Sequence, residues 1–338
     1  MGYYRVNYDE NNWNLLIQQL QTDHEVIHLI NRAQLLDDAL DLAGAGFLSY
    51  TTAFSINAYL SSETEYVPWT AALDNMGYIE QMFTRTGHYG SLRNYLLDLL
   101  VPLYNSVGFE DNLNDPHLDQ LTRVTAVTWA CKLDYSDCVS KSVALYTSWM
   151  ANPSNQSIIS PNEKKPVICT AIADGGEEEW NFAWNQYLTS NIATEKDALM
   201  LSMACSKEVW ILSRYLDIVF MEDSRIRKQD AARVFSAIAR NDVGRDLAWD
   251  YLKNQWDILY TFFKSFTTLG DLLTVVTEEF NTVEQKKEVI IFRDEHQDDL
   301  AQADRAVEQA VERISNNIDW MAKNYDVIVQ WLADNGYP

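Results

Sequence analysis

One stretch of this chain, its first, alternates like a β-strand, and almost everything after it reads as helix. In Gly2-Tyr3-Tyr4-Arg5-Val6-Asn7-Tyr8, Tyr4, Val6 and Tyr8 share one face and Tyr3, Arg5 and Asn7 the other. A lone strand has no partner for its backbone N–H and C=O groups, and an aromatic edge left open invites aggregation. The expectation is a piece of a larger protein. Residues 1–9 would be a residual strand and junction from an upstream β-sandwich domain, with Met1 placed as an added initiator, and residues 10–338 an α-helical domain.

The rest of the composition agrees with many helices joined by short loops. The 338 residues include only 12 Gly and 7 Pro, too few turn formers for a sandwich or barrel. Hydrophobic residues make up 47%, with 11 Trp and 18 Tyr, which is ample for a continuous core and excludes disorder of the whole. Forty-nine acidic against 26 basic side chains leave a net charge of −23. Such a chain repels nucleic acid and anionic lipid, which need compensating Lys and Arg. The acidity reads first as a soluble secreted surface, and second as a groove for basic peptides. No run approaches the ~20 apolar residues of a membrane span, and no signal peptide opens the chain.

Cys131, Cys138, Cys169 and Cys205 suit two disulfides, with three pairings open. Six residues separate the first two, unlike C-x-x-C, which favours a local disulfide over a catalytic thiol. Asn155-Gln156-Ser157 is a glycosylation sequon beside Asn152-Pro153-Ser154, a surface-loop composition. Together these point to the secretory pathway.

Helical stripes recur along the chain. Trp13, Leu16, Ile17 and Leu20 form one; Asn31 to Leu42 supplies another that ends at Gly44 and Gly46 as C-cap. Glu65-Tyr66-Val67-Pro68-Trp69 starts a third, with Pro68 tolerated in the first turn. From Ala303 through Val307, Ala310, Ile314, Ile318 and Met321 to Leu332 the spacing stays helical, with Asn316 and Asn317 as a candidate interruption. The fold class is therefore all-α: an irregular HEAT- or armadillo-like α-solenoid of stacked helix pairs, roughly eight at a period of about 40 residues.

His24-Glu25-Val26-Ile27-His28 matches H-E-x-x-H, in which two histidines one helical turn apart bind zinc and the Glu activates water. A third ligand is missing. Zinc aminopeptidases carry a Glu nineteen positions after the second His, where this chain has Phe47, and the longer zinc pattern needs His where Gln34 stands. The match reads as a chance one on a solvated helix face. His88 and His117 stand apart in loop-like sequence. Gly175-Gly176 followed by Glu177, Glu178 and Glu179 puts acid at a helix start, which suits the dipole and repels phosphate.

Read in order, longer strings resemble one family. Gly2-Tyr3-Tyr4-Arg5-Val6-Asn7-Tyr8-Asp9, Asn31-Arg32-Ala33-Gln34-Leu35-Leu36-Asp37-Asp38-Ala39 and Val67-Pro68-Trp69-Thr70-Ala71-Ala72-Leu73 are similar to the C-terminal, ERAP1-C-like domain of M1 zinc aminopeptidases of the aminopeptidase N type. So are Cys169-Thr170-Ala171-Ile172-Ala173, Gly175 to Trp180, Ala204 to Leu212, Ile226-Arg227-Lys228-Gln229-Asp230 and Arg305 to Ala310. The likeness runs from Gly2 to about Leu332, and its wording resembles an insect member.

The resemblance implies a bowl of helix pairs that packs over a catalytic domain and closes a peptide chamber. It implies the disulfides Cys131–Cys138 and Cys169–Cys205. No catalytic residue or cofactor is expected in this chain: zinc and the exopeptidase machinery belong to the parent's catalytic domain, and neither the zinc motif with its distant Glu nor the exopeptidase motif is present here. The parent would be a membrane-tethered ectopeptidase on the extracellular face of the plasma membrane, removing N-terminal residues from peptides. Partners would be the catalytic domain of the same polypeptide and the distal end of the substrate. Arg240-Asn241-Asp242-Val243-Gly244 is similar to a family pattern whose Arg is linked to the peptide C-terminus, which makes Arg240 the candidate substrate-binding residue. An alternative is a docking surface for an extracellular protein such as a bacterial crystal toxin.

Overall fold

In the computed structural model, which describes residues 4–264, 266–300 and 304–338, regular structure is helical throughout and no strand occurs among the described residues. The helices divide between two compact units, residues 1–138 with 320–338, and residues 139–319.

The first unit holds α1 (Glu10–Asp23), α2 (Leu29–Gly44), α3 (Tyr50–Asn57), α4 (Tyr66–Phe83), α5 (Tyr89–Val107), α6 (His117–Lys132) and the start of α7 (Ser136–Ala151). The second continues through α8 (Lys164–Asp174), α9 (Glu177–Thr189), α10 (Ala193–Ser202), α11 (Val209–Phe220), α12 (Lys228–Ala239) and α13 (Gly244–Asn254). Then come α14 (Trp256–Phe263), α15 (Phe266–Val276), α16 (Val283–Glu295), α17 (Gln297–Leu300) and α18 (Asp304–Asp334), whose residues from Trp320 onward belong to the first unit.

Within each unit, helices near in sequence pack together: α2 against α3 and α4, α5 against α6, then α8 and α9 against α10, and α12 against α11 and α13. Trp13 and Leu20 of the first stripe are buried, as are Leu35, Leu36, Ala39 and Leu40 of the second. Each of these leucines contributes about 1.5–3 kcal/mol on leaving water.

The helix ends follow from local chemistry. Asp9 accepts from Asn12 N–H at 2.9 Å to start α1, and Thr282 with Gln285 forms a capping box on α16. After α2, Gly46 takes φ +79°, a left-handed conformation glycine adopts without strain, while Phe47 N–H returns to Leu42 C=O at 2.8 Å. At α9, Gly176 N–H donates to Glu179 at 2.8 Å, and a Cβ on Gly175 would lie 2.6 Å from the Glu179 side chain. That close approach accounts for Gly175.

Two expectations change. Residues 4–9 form no strand, and Gly2 and Tyr3 lie outside the described residues. The segment is tied to α2 and its C-terminal turn by side chains: Arg5 pairs with Asp37 at 2.6 Å and with Asp41, Val6 N–H donates to Asp38, and Asn7 donates to Phe47 C=O. Of these contacts, the one made by a backbone donor is that of Val6 N–H, to a carboxylate. Further on, Asn316 and Asn317 do not interrupt α18. Asn317 is buried, and its Nδ2 donates to Glu278 C=O at 3.2 Å and Phe280 C=O at 2.9 Å, so the amide is satisfied without unwinding its own helix. Ala303, the first residue of that stripe, lies outside the described residues.

Candidate functional site

The segment from Arg240 to Arg245 joins α12 to α13, and each residue has a separate task. Arg240 is the C-cap of α12, its N–H returning to Ser236 C=O at 3.1 Å. Asn241 spends its whole side chain on the joint. Its Oδ1 accepts from Val243 N–H at 2.9 Å and Gly244 N–H at 3.2 Å, while its Nδ2 donates to Ala204 C=O at 2.8 Å and Ser206 C=O at 2.9 Å. Those carbonyls flank Cys205, which is bonded to Cys169 of α8. Gly244 sits where a Cβ would lie 2.3 Å from Ile238 C=O, closer than any side chain permits. Arg245 is buried and ion-paired with the equally buried Glu279.

The backbone of the joint is thus pinned from three sides. Arg240, like Asp242, turns outward: its side chain is 59% exposed and meets the Glu278 carboxylate at 3.5 Å, the outer limit of a hydrogen bond. A planar guanidinium held by so loose a contact has donors to offer a second carboxylate in bidentate geometry.

The H-E-x-x-H segment is not one helix face. α1 ends at Asp23, His24 to Val26 form a single 3₁₀ turn, Ile27 is extended, and His28 is the N-cap of α2 with Nδ1 accepting from Ile30 N–H at 3.3 Å. The two imidazoles therefore do not occupy successive turns of a helix, and these residues do not fit the zinc motif. His24 instead packs its ring against Tyr59, at 5.6 Å between centroids, and its carbonyl accepts from Arg32. No group of three or more His, Cys, Asp or Glu among the described residues is placed to hold a metal ion. His88 Nδ1 lies 2.7 Å from the Tyr325 hydroxyl, and His117 begins α6.

The cysteines pair as Cys131–Cys138 and Cys169–Cys205, the pairs that the resemblance implies. Asn155 is exposed between α7 and α8. Its Oδ1 accepts from the N–H and hydroxyl of Ser157 at 3.1 and 2.7 Å, which turns its amide nitrogen to solvent. No helix among the described residues is long and apolar enough to cross a membrane.

Comparison with known proteins adds a consistent finding. The family model described as "ERAP1-like C-terminal domain" matches residues 1–316. Aminopeptidase N of rat is 40% identical over 99% of this chain, and that of human 39% over 99%. The rat thyrotropin-releasing hormone-degrading ectoenzyme is 32% identical over 98%. The chain spans 35% of the length of the two aminopeptidases and 31% of the ectoenzyme. These three are vertebrate proteins and lend no support to an insect-type origin.

Proposed function

Because this chain belongs to the family of ERAP1-like C-terminal domains, we propose that it is the non-catalytic C-terminal part of an M1 zinc aminopeptidase. The observation that carries the reading is identity of 40% across 99% of the chain to an aminopeptidase of which the chain spans only 35%. In this reading the parent is a membrane-tethered ectoenzyme that removes N-terminal residues from peptides, with its zinc in a preceding catalytic domain. The present domain stabilises that enzyme and closes its chamber. Arg240 then holds the far end of a long substrate, its guanidinium exchanging Glu278 for the terminal carboxylate. Such binding leaves the bond chemistry to the catalytic domain and raises the rate through remote binding energy. The exposed Asn155 carries a glycan that keeps its loop solvated.

The test compares this chain alone with the longer polypeptide. After dialysis against trace metal, the chain alone is expected to hold no stoichiometric zinc and to release no N-terminal residue from a chromogenic amide. The longer polypeptide does both, and a chelator abolishes its activity. One zinc per chain in the isolated domain, lost on His28→Ala, would overturn the proposal.

A further inference from the structure

Beyond the joint at Arg240, the second unit contains a cavity of about 260 Å³ with an unusual charge for so acidic a chain. It lies between the end of α9, the start of α10 and the loop that leads into α12. Tyr187, Met200 and Ala193 supply its apolar wall. Three cationic side chains, Lys196, Arg225 and Arg227, line it with two acids, Asp197 and Asp230.

The acids are already answered. Arg233 pairs with Asp197 at 2.5 Å and Asp230 at 3.6 Å, and Arg227 Nε donates to Asp230 at 2.7 Å. The cations retain capacity. Lys196 Nζ donates to Tyr187 C=O at 2.7 Å and sits 4.2 Å from the centre of the Tyr187 ring, which uses one of its three N–H bonds. Arg227 keeps both terminal nitrogens. The Arg225 guanidinium has no partner among the described residues; only its carbonyl is engaged, accepting from the Tyr187 hydroxyl at 3.2 Å.

The cavity is also a built one. Between the two arginines, Ile226 is buried and its N–H donates to Ser224 at 3.1 Å, so the loop is anchored while its basic side chains line the cavity. Among the lining side chains three are cationic and two anionic, an excess of +1. Elsewhere the chain's net charge of −23 repels anions. A volume below the usual ~300–1,000 Å³ of drug-sized sites limits the ligand to a few heavy atoms. The Met200 side chain and Ala193 ask for a short apolar body between charged ends.

We propose that this cavity binds a small dicarboxylate, one carboxylate on Arg225 and Arg227 and the other on Lys196, with its methylenes against Met200 and Ala193. The site is independent of Arg240 and of the aminopeptidase reading. The experiment is isothermal titration of the purified chain with succinate, with butyrate and inorganic phosphate as comparators. Saturable binding of one succinate per chain is expected, with butyrate and phosphate each weaker by about tenfold, for want of a second charge or an apolar body. Arg225→Ala should weaken succinate by a further tenfold or so without changing the melting temperature, since that side chain supports no contact in the fold, and Arg225→Lys should recover part of the loss. Lys323→Ala, which removes a surface charge outside the cavity, should leave binding unchanged. Absence of saturation, an unaltered Arg225→Ala variant, equal loss in Lys323→Ala, or phosphate binding as tightly as succinate would each overturn the proposal.

Discussion

Replacing the Arg240 guanidinium by a methyl group removes a charge that the fold does not use. Its one ion pair, to Glu278 at 3.5 Å, is exposed on both sides, and such pairs contribute about 0–1 kcal/mol. Arg240→Ala is therefore expected to melt within a degree or two of the parent chain. In the full aminopeptidase it should reduce kcat/KM for long peptides by about tenfold, the worth of one partly exposed charge-assisted bond, and leave short chromogenic substrates unchanged. Equal losses on both substrate classes would remove Arg240 from substrate binding. Its neighbours serve the opposite purpose. Asn241 satisfies two amides and two carbonyls, and Gly244 leaves room for Ile238 C=O, so those positions hold the joint that displays Arg240.

Among the elements, α18 is the one whose length rests on a side chain read too locally. An Asn pair ordinarily weakens a helix interior, because short amides compete for backbone bonds. Here Asn316 is exposed and Asn317 spends its amide on the carbonyls of Glu278 and Phe280. Asn317→Ala should cost about 1–3 kcal/mol by leaving those buried carbonyls unpaired, while Asn316→Ala should be neutral or slightly stabilising. Thermal unfolding of the two variants separates the cases, and equal effects would show that helix propensity alone matters.

The same contrast explains what was legible. Periodic stripes such as Trp13 to Leu20 mark helices because burial repeats every 3.6 residues. The alternation of residues 4–8 corresponds to no strand within this chain, where Arg5 and Asn7 bind the surroundings of α2. H-E-x-x-H reads in the sequence as a chance match on a solvated helix face, whereas the structure puts His24 to Val26 in a 3₁₀ turn and His28 at a helix cap. Arg240 was visible as a motif. The dicarboxylate cavity was not: Arg225 and Arg227 form a visible basic cluster, but Lys196 joins them only through the packing of α10 beside α12.

For the whole molecule, 49 acidic against 26 basic side chains set up self-repulsion. Salt acts on two opposed terms, the repulsion and the ion pairs. The exposed pairs are weak, and the buried ones, such as Arg32 with Glu63 at 2.7 Å, are shielded from ions, so relief of repulsion wins. Raising sodium chloride from low concentration to about 0.15 M, where the Debye length is about 8 Å, should raise the melting temperature. A fall would mean that the surface pairs outweigh the net charge.

The first unit also carries a schedule. Trp320 donates its indole N–H to the Tyr50 hydroxyl at 2.9 Å, across 270 residues of chain, and Trp331 sets its ring against Phe54 and Tyr95. A ribosome adding about 5–20 residues per second needs roughly fifteen to fifty seconds to travel from codon 50 to codon 320. For that interval the helices around Tyr50 have already emerged from the exit tunnel, yet this aromatic cluster still faces water or a chaperone. The part of this unit around Tyr50 is thus completed only after a helix made some 270 residues later arrives, and its quality control waits on that later stretch of translation.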